Sequence, residues 1–178
     1  MLLKPIDGSK RIKLSQIDSD ARGGFSEETA ETQKNSIGNQ LTNLGEMLYA
    51  AHSTPVLIVL QGMDTSGKDG TIRHVMGFLN PQNCRVASFK VPTPLEQAHD
   101  YLWRAHQEMP ECGTATIFNR SYYEDVLVVR VHNLVPKATW NKRYEHIVNF
   151  EKLLMDEGVV ILKFFLHISS FSKLTMCS

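Results

Sequence analysis

Residues 56–68 read VLIVLQGMDTSGK, and this stretch decides the fold. Its first five residues, 56–60, are an unbroken run of β-branched and aliphatic side chains, which is typical of a strand buried on both faces of a parallel sheet. Residues 62–68 then fit the pattern GxxxxGK. Apolar residues at helical spacing follow, namely Ile72, Val75, Met76 and Leu79. The stretch therefore predicts a strand, a glycine-rich loop and a helix that ends at Asn80 and Pro81.

The loop at residues 62–68 predicts a phosphate-binding site. Its glycines let the backbone turn so that amide groups face phosphate oxygens, the helix N-terminus adds positive potential, and the lysine adds a full charge. We expect phosphate or nucleotide contacts from Gly62, Met63, Thr65, Ser66, Gly67, Lys68, Asp69, Gly70 and Thr71. The alternative interpretation is a tight turn that binds no ligand.

The loop departs from the usual pattern at the residue after its lysine. Asp69 stands where most such loops have a serine or threonine that binds magnesium. Asp64 places another carboxylate inside the loop, where it would repel a phosphate unless a cation lay between them. We therefore predict that Mg²⁺ is the cofactor and that Asp64 is its ligand, directly or through water. The alternative is that Asp64 points to solvent or caps amide groups of the loop.

Strand and helix patterns alternate along the rest of the chain. Further strands are predicted at residues 85–90, 114–119 and 159–166. A helix is predicted to begin at Ser26, with an apolar stripe formed by Ile37, Leu41, Leu44 and Leu48. Other helices are predicted at residues 94–108, 122–131 and 140–154. Four strands that alternate with helices predict an α/β fold with a mostly parallel sheet and flanking helices.

Charged and polar residues follow the second and third predicted strands. Ligands of open parallel sheets bind beyond the carboxyl ends of the strands. We therefore expect Lys90, Asn119 and Arg120 to lie at the same sheet edge as Lys68. This arrangement would concentrate positive charge at one place and hold an anionic ligand.

Two arginines near the third strand have competing interpretations. Arg120 suits a bidentate grip on a phosphate, and the alternative is a structural ion pair with Glu124 or Asp125. Arg130 lies ten residues further on, among valines. A place in the same cleft and a purely structural role are equally compatible with its position.

Composition excludes several classes of protein. The 178 residues include 19 Lys and Arg and 19 Asp and Glu, so the net charge is +0 and gives no sign of a nucleic-acid or anionic-membrane partner. Cys84, Cys112 and Cys177 lack the CxxC spacing of a zinc site or a disulfide framework. The N-terminus has too short an apolar run for a signal peptide, and residues 159–166 are too few to span a bilayer. We expect a cytoplasmic protein.

Three segments together resemble the polyphosphate kinase-2 family, and its polyphosphate:nucleotide phosphotransferase branch in particular. They are residues 62–71 (GMDTSGKDGT), 85–94 (RVASFKVPTP) and 117–132 (IFNRSYYEDVLVVRVH). The resemblance runs from about Asp18 to Ser169. It implies a P-loop kinase-like fold similar to thymidylate kinase, and assembly as a homo-oligomer, a dimer or a tetramer. It also implies Mg²⁺-dependent phosphoryl transfer between inorganic polyphosphate and a nucleotide such as AMP, ADP or ATP.

The same resemblance implies roles for individual residues. Catalytic roles fall on Asp64, Lys68, Arg120 and Arg130. Asn119 stands where other branches of the family have aspartate, so Asp125 is expected to join Asp64 as a metal-binding carboxylate. Lys90 matches the basic residue that follows the second strand in the family.

The end of the chain differs from the family pattern. Family members continue after the fourth strand with KEEQ and an arginine- and lysine-rich lid helix, whereas residues 167–173 here read HISSFSK. We therefore expect the lid and the C-terminal helices to be missing. The predicted organisation is an extended arm at 1–25, an incomplete P-loop kinase-like domain at 26–169 and an aberrant tail at 170–178.

Three functional hypotheses follow. The first is Mg²⁺-dependent phosphoryl transfer between polyphosphate and a nucleoside mono- or diphosphate. The second is a catalytically inactive, lidless fragment that binds phosphate or nucleotide. The third is an ATP-dependent nucleotide or nucleoside kinase.

Overall fold

A computed structural model describes residues 5–6, 11–21, 24–63 and 66–167 of the chain. Its strands are β1 (Val56–Gly62), β2 (Cys84–Ser88), β3 (Ala115–Asn119) and β4 (Val160–Leu166). Its helices are α1 (Glu27–Ala51), α2 (Lys68–Met76), α3 (Pro94–Gln97), α4 (Trp103–Gln107), α5 (Glu124–Val131) and α6 (Lys137–Asp156). The four strands form one sheet in the order β2-β3-β1-β4, and every pair is parallel. The predicted α/β fold with a parallel sheet and flanking helices is confirmed.

The central strand β1 has neighbours on both sides. Val56 is opposite Ala115 of β3 and also opposite Val160 of β4. Because β1 has a paired strand at each edge and helices on each face, Leu57, Val59 and Leu60 of the aliphatic run are buried, and Val56 and Ile58 are partly buried. The parallel register also brings the carboxyl ends of β1, β2 and β3 to one edge of the sheet.

Alternate residues of β1 enter two separate cores. Leu57 and Val59 face a core that includes aromatic residues after β3 and the buried side of α6, and both are fully buried. Leu60 faces the opposite core, against which Ile72 and Met76 of α2 pack. The sheet is thus covered on one face by α5 and α6 and on the other by α2.

Helix α1 begins where the sequence predicted. Ser26 caps it, with the Ser26 Oγ accepting from the Thr29 amide and the Thr29 Oγ1 accepting from the Ser26 amide at 2.9 Å. Gly38 faces the fold, where the ring of Phe78 leaves no room for a Cβ. The predicted apolar stripe is only partly covered by the fold, since Ile37 and Leu44 are 54% and 60% exposed.

The prediction of one continuous helix at residues 94–108 is wrong, because the structure has the two short helices α3 and α4 there. Asp100 interrupts the pattern, since its Oδ1 accepts from the amide of Leu102 at 2.9 Å and closes a turn between the helices. Leu95, Ala98, Leu102 and Ala105 recur at helical spacing across the two segments together, which explains the prediction. Ala105 of α4 is fully buried.

Strand β4 forms one edge of the sheet. It pairs with β1 along its full length, and no other strand of the described ranges pairs with its outer edge. Val160, Leu162 and Phe164 share one face of β4 and are 43–49% exposed. On the other face of β4, Ile161 packs on the core beside α6, whereas Phe165 is 50% exposed.

The predicted N-terminal arm is partly described by the structure. Residues 11–21 are mostly exposed and contain one 3-10 turn at Leu14–Gln16, whereas the tail predicted at 170–178 lies outside the described residues. In the part of the chain that the structure describes, no helix has the length and apolar character needed to cross a membrane.

Candidate functional site

A cavity of about 1240 Å³ opens at the carboxyl edge of the sheet. The end of the glycine-rich loop and the first turns of α2 form one wall, and the residues that follow β2 and β3 form another. Lys68, Lys90, Asn119 and Arg120 all line this cavity. The structure thus brings together four residues that the sequence analysis had assigned to a common sheet edge.

Glycines shape the loop between β1 and α2. Gly67 has φ = +75°, in the left-handed region that glycine adopts without strain, and it lies directly before the first residue of α2. A Cβ on Gly62 would overlap the Ser66 Oγ and lie 2.9 Å from the carbonyl oxygen of Leu166. Both positions therefore require glycine. Asp64 and Thr65, which were predicted to bind metal and phosphate, lie outside the described residues.

Lys68 lies at the base of the loop and is 8% exposed. Its Nζ donates to the carbonyl oxygens of Gly62 at 3.0 Å and Met63 at 2.9 Å, and to the Ser66 Oγ at 3.3 Å. These contacts hold the ammonium group beside the amide groups that open α2. Phosphate oxygens entering the loop would meet a fixed positive charge at that point.

Asp69 and Asn119 connect α2 with the end of β3. The Asn119 Nδ2 donates to the Asp69 Oδ1 at 2.7 Å, and both side chains line the cavity. The second carboxylate oxygen of Asp69 and the amide oxygen of Asn119, which this bond does not use, are oxygen atoms of the kind that Mg²⁺ prefers. Within the described ranges, no three His, Cys, Asp or Glu side chains cluster as a metal site.

Asp125 is not among the residues that line this cavity. Its Oδ2 accepts from the Arg104 Nη2 at 3.0 Å, with the two side chains 12% and 7% exposed. Arg104 also donates to the carbonyl oxygen of Lys90 at 2.9 Å and lies over the ring of Phe89. The metal-binding role of Asp125 stays a prediction, and it would require this buried ion pair to open.

Arg130 is not among the residues that line the cavity. Its guanidinium carbon lies 5.1 Å from the ring centroid of Trp140, a cation–π contact between α5 and α6. Both residues line a second cavity of about 580 Å³. The catalytic role of Arg130 stays a prediction, and the structure does not place it with Lys68 and Arg120.

Four titratable residues of the cavity wall were missed in the sequence: Glu31, Lys34, Arg73 and His74. Arg73 and His74 could have been found, because they follow Asp69 and Gly70 by four residues and share their side of α2. Glu31 and Lys34 belong to the first turns of α1, where they form an ion pair at 2.6 Å. Their place depends on how α1 packs on α2, which no local pattern reveals.

Comparisons with known proteins agree on one family. A family model described as Polyphosphate kinase 2 matches residues 24–175 of this chain. An AMP/ADP-polyphosphate phosphotransferase of Meiothermus ruber is 54% identical over 161 residues, which cover 89% of this chain and 60% of that protein. An ADP-polyphosphate phosphotransferase of Rhodopseudomonas palustris is 48% identical over 142 residues, which cover 73% of this chain and 49% of that protein.

A solved structure extends the similarity to three dimensions. The crystal structure of Polyphosphate Kinase 2 from Arthrobacter aurescens TC1 superposes with a TM-score of 0.86 at 34% sequence identity, covering 92% of this chain and 60% of that one. The chain therefore spans between 49% and 60% of the length of these three similar proteins.

Proposed function

The chain belongs to the polyphosphate kinase 2 family, and on this premise we propose that it serves Mg²⁺-dependent phosphoryl transfer between inorganic polyphosphate and a nucleoside mono- or diphosphate. One observation carries the proposal: Lys68, Lys90 and Arg120 converge on a single cavity at the opening of α2. The substrates named for the similar proteins are polyphosphate with AMP or ADP, and both kinds are polyanions.

The charge of the cavity supports a polyanionic ligand. Five cationic side chains line it, those of Lys34, Lys68, Arg73, Lys90 and Arg120. Two carboxylates, Glu31 and Asp69, oppose them, so the cavity has an excess of three positive charges while the whole chain has a net charge of +0. A local excess of this kind raises the concentration of anionic substrates at the cavity and favours their binding.

Phosphoryl transfer requires alignment and charge neutralisation more than covalent chemistry. Lys68 offers a point charge at the base of the loop, and the planar guanidinium of Arg120 offers paired donors from the opposite wall. Lys90 adds a third charge from the end of β2. No strong base is needed, because the phosphate of the accepting nucleotide is already ionised at neutral pH.

The oxygens of Asp69 and Asn119 fit a hydrated Mg²⁺, and Asp64 remains the predicted ligand within the loop. A bound Mg²⁺ would neutralise charge on the oxygens of the transferred phosphate. The polypeptide itself would hold the two phosphate chains end to end, with α2 and the loop on one side and the residues after β3 on the other. We also propose assembly as a homo-oligomer, for which the exposed apolar residues Ile37 and Leu44 of α1 offer a surface.

A second candidate function is a binding fragment without turnover. Its support is local, because Lys68 and the amide groups that open α2 can hold phosphate oxygens at the cavity by themselves. Transfer depends on closing groups around the phosphates, whereas binding to the loop depends on local residues that this chain contains. The fragment would bind polyphosphate or nucleotide at the same cavity and transfer nothing.

One experiment separates the two candidates. The purified chain is incubated with polyphosphate, MgCl₂ and AMP or ADP, and formation of ADP or ATP is followed beside binding of inorganic tripolyphosphate by calorimetry. We expect Lys68→Ala to weaken binding about 100-fold, since it removes a charge held against the phosphates. Lys142→Ala, at an exposed lysine of α6, is the matched control.

The outcomes differ for each candidate. Turnover that Lys68→Ala removes and Lys142→Ala retains supports the transferase, with the Meiothermus ruber relative as the positive control. Tripolyphosphate binding with the same mutational pattern but no turnover supports the fragment. A chain that neither binds nor transfers contradicts both.

A further inference from the structure

Arg120 has a backbone conformation that side chains rarely adopt. Its φ is +64°, within the left-handed region that favours glycine. Among the described residues that line the main cavity, it is the only non-glycine residue with positive φ. Such a conformation persists only where the surroundings impose it. The residues that follow Arg120 must therefore be firmly held.

A buried carboxylate holds the two tyrosines that follow. Glu151 of α6 is 6% exposed and its Oε1 accepts from the hydroxyl of Tyr122 at 2.9 Å and from that of Tyr123 at 2.8 Å. Its Oε2 accepts from the Nζ of Lys163 at 2.6 Å. Tyr122 is fully buried. One carboxylate thus joins α6, β4 and the turn after β3.

The tyrosine hydroxyls remain donors at neutral pH. Burial raises the pKa of Tyr123 to about 12, and the negative charge of Glu151 acts in the same direction. Burial likewise raises the pKa of Tyr122. Burial would lower the pKa of Lys163, but its hydrogen bond to Glu151 and the neighbouring negative charge outweigh this, so its pKa is raised. Both tyrosine hydroxyls and the Lys163 ammonium therefore donate to the Glu151 side chain.

A second contact fixes the turn from the opposite side. Ser121 is fully buried and shares a hydrogen bond of 2.7 Å with the side chain of Gln61, the residue before Gly62. Arg120 is thus followed by residues tied to the strand that leads into the loop and to α6 and β4. These contacts therefore restrict Arg120 from leaving its left-handed backbone conformation.

We propose that Glu151 is a positioning residue that holds Arg120 in its left-handed conformation through Tyr122 and Tyr123, and so aims the guanidinium into the cavity. This role rests on the proposed function, in which Arg120 binds phosphate. Glu151 itself is not among the residues that line the cavity. Nothing in the sequence connects the two residues, which are 31 positions apart.

The test is a thermodynamic cycle with inorganic tripolyphosphate as the probe. Glu151→Gln should weaken its binding about tenfold, because a displaced guanidinium loses its aligned contacts. In an Arg120→Ala background the same substitution should produce no further loss, since the residue through which it acts is gone. Glu108→Gln is the matched control, because Glu108 forms an exposed ion pair with Arg85 at 3.5 Å, away from the turn. An equal loss from Glu151→Gln in both backgrounds overturns the proposal.

Amide hydrogen exchange gives a second readout that does not need a ligand. Glu151→Gln should accelerate exchange at residues 120–123, and Tyr123→Phe, which removes one donor only, should do so to a smaller degree. Glu108→Gln should change neither. Unaltered exchange in the turn overturns the positioning role even if the chain binds tripolyphosphate. If Glu151→Gln accelerates exchange in the turn but the wild-type chain binds no tripolyphosphate, the proposed function is contradicted. The positional link between Glu151 and the turn is then still supported.

Discussion

The loop after β1 and the turn after β3 face the same cavity but are built in opposite ways. The loop adopts left-handed backbone at Gly67, where glycine permits it, and its contacts lie within a few residues. The turn places an arginine in the left-handed region and holds it through a glutamate of another helix. Contacts within a few residues therefore hold the loop, whereas contacts with distant segments hold the turn, although both line the same cavity.

The difference shows how each region responds to change. The loop depends on the absence of side chains, so adding a single methyl group disturbs it. The turn depends on side chains from α6 and β4, so it responds to substitutions far from the cavity. Three substitutions test this contrast, in descending order of expected effect.

The largest effect is expected from Gly62→Ala. The added Cβ overlaps the Ser66 Oγ and approaches the Leu166 carbonyl oxygen, so the loop must move or the sheet must open. We expect the free energy of unfolding to fall by about 1–3 kcal/mol, as for other overpacked sites. Tripolyphosphate binding should weaken at least tenfold, because the amides of the loop no longer converge. Urea denaturation and calorimetry measure the two effects.

Gly70→Ala is the control for the stability measurement. A Cβ at Gly70 meets nothing within 4 Å, and alanine is the better helix former by about 1 kcal/mol. This variant should therefore be as stable as the wild type or more so. Equal urea midpoints for Gly62→Ala and Gly70→Ala would show that the loop does not depend on the missing side chain.

A smaller effect is expected from exchanging Arg120 for glycine or for alanine. Both variants lose the guanidinium and should bind tripolyphosphate equally weakly. Left-handed backbone costs an alanine about 1–2 kcal/mol, of which the greater chain entropy of unfolded glycine offsets a part. Arg120→Gly should therefore be roughly 0.5–1 kcal/mol more stable than Arg120→Ala.

The matched pair at Lys142 should give the opposite order. Lys142 lies within α6 and is exposed, so alanine is favoured over glycine there by about 1 kcal/mol. Denaturant unfolding of the four variants measures whether glycine or alanine gives the larger free energy of unfolding at each position. An Arg120→Ala chain as stable as Arg120→Gly would mean that the turn imposes no left-handed conformation.

The third effect is the smallest at neutral pH, because it appears only at alkaline pH. The pKa of Tyr123 is raised from 10.0 to about 12 in the folded chain, so the folded state retains a proton that the unfolded state loses. Stability is fully present below pH 10 and declines as the pH rises toward about 12. One retained proton contributes a slope of up to about 1.4 kcal/mol per pH unit in this window.

Tyr123→Phe should lessen this alkaline decline, because it removes the titrating hydroxyl. Tyr144→Phe, at an exposed tyrosine of α6, should leave the decline unchanged. Urea denaturation at several values between pH 9 and pH 12 provides the comparison. Identical pH profiles for Tyr123→Phe and the wild type would contradict a buried, hydrogen-bonded hydroxyl.

The same contrast explains what the sequence could predict. The parallel sheet, the loop and the cap at Ser26 follow from spacings of a few residues, and all were recognised. Lys90, Asn119 and Arg120 were assigned to the sheet edge correctly because parallel strands end together. These inferences needed chain order and local pattern alone.

Contacts between distant segments escaped prediction for the corresponding reason. The family resemblance implied a metal-binding role for Asp125, which stays a prediction, but it gave no sign of the ion pair with Arg104 of α4, a residue 21 positions earlier. The ion pair between Glu151 and Lys163 also depends on how α6 packs on the sheet. No periodicity encodes such pairings, because they are set by packing after the elements form.

Strand β4 has a consequence for handling the purified chain. Its outer edge has no partner strand in the described part of the chain, and Leu162 and Phe164 are nearly half exposed beside it. Free backbone donors and acceptors next to apolar side chains favour intermolecular β-sheet formation. We expect solubility to fall steeply as protein concentration rises, and a charged substitution such as Leu162→Lys to improve recovery from expression and refolding.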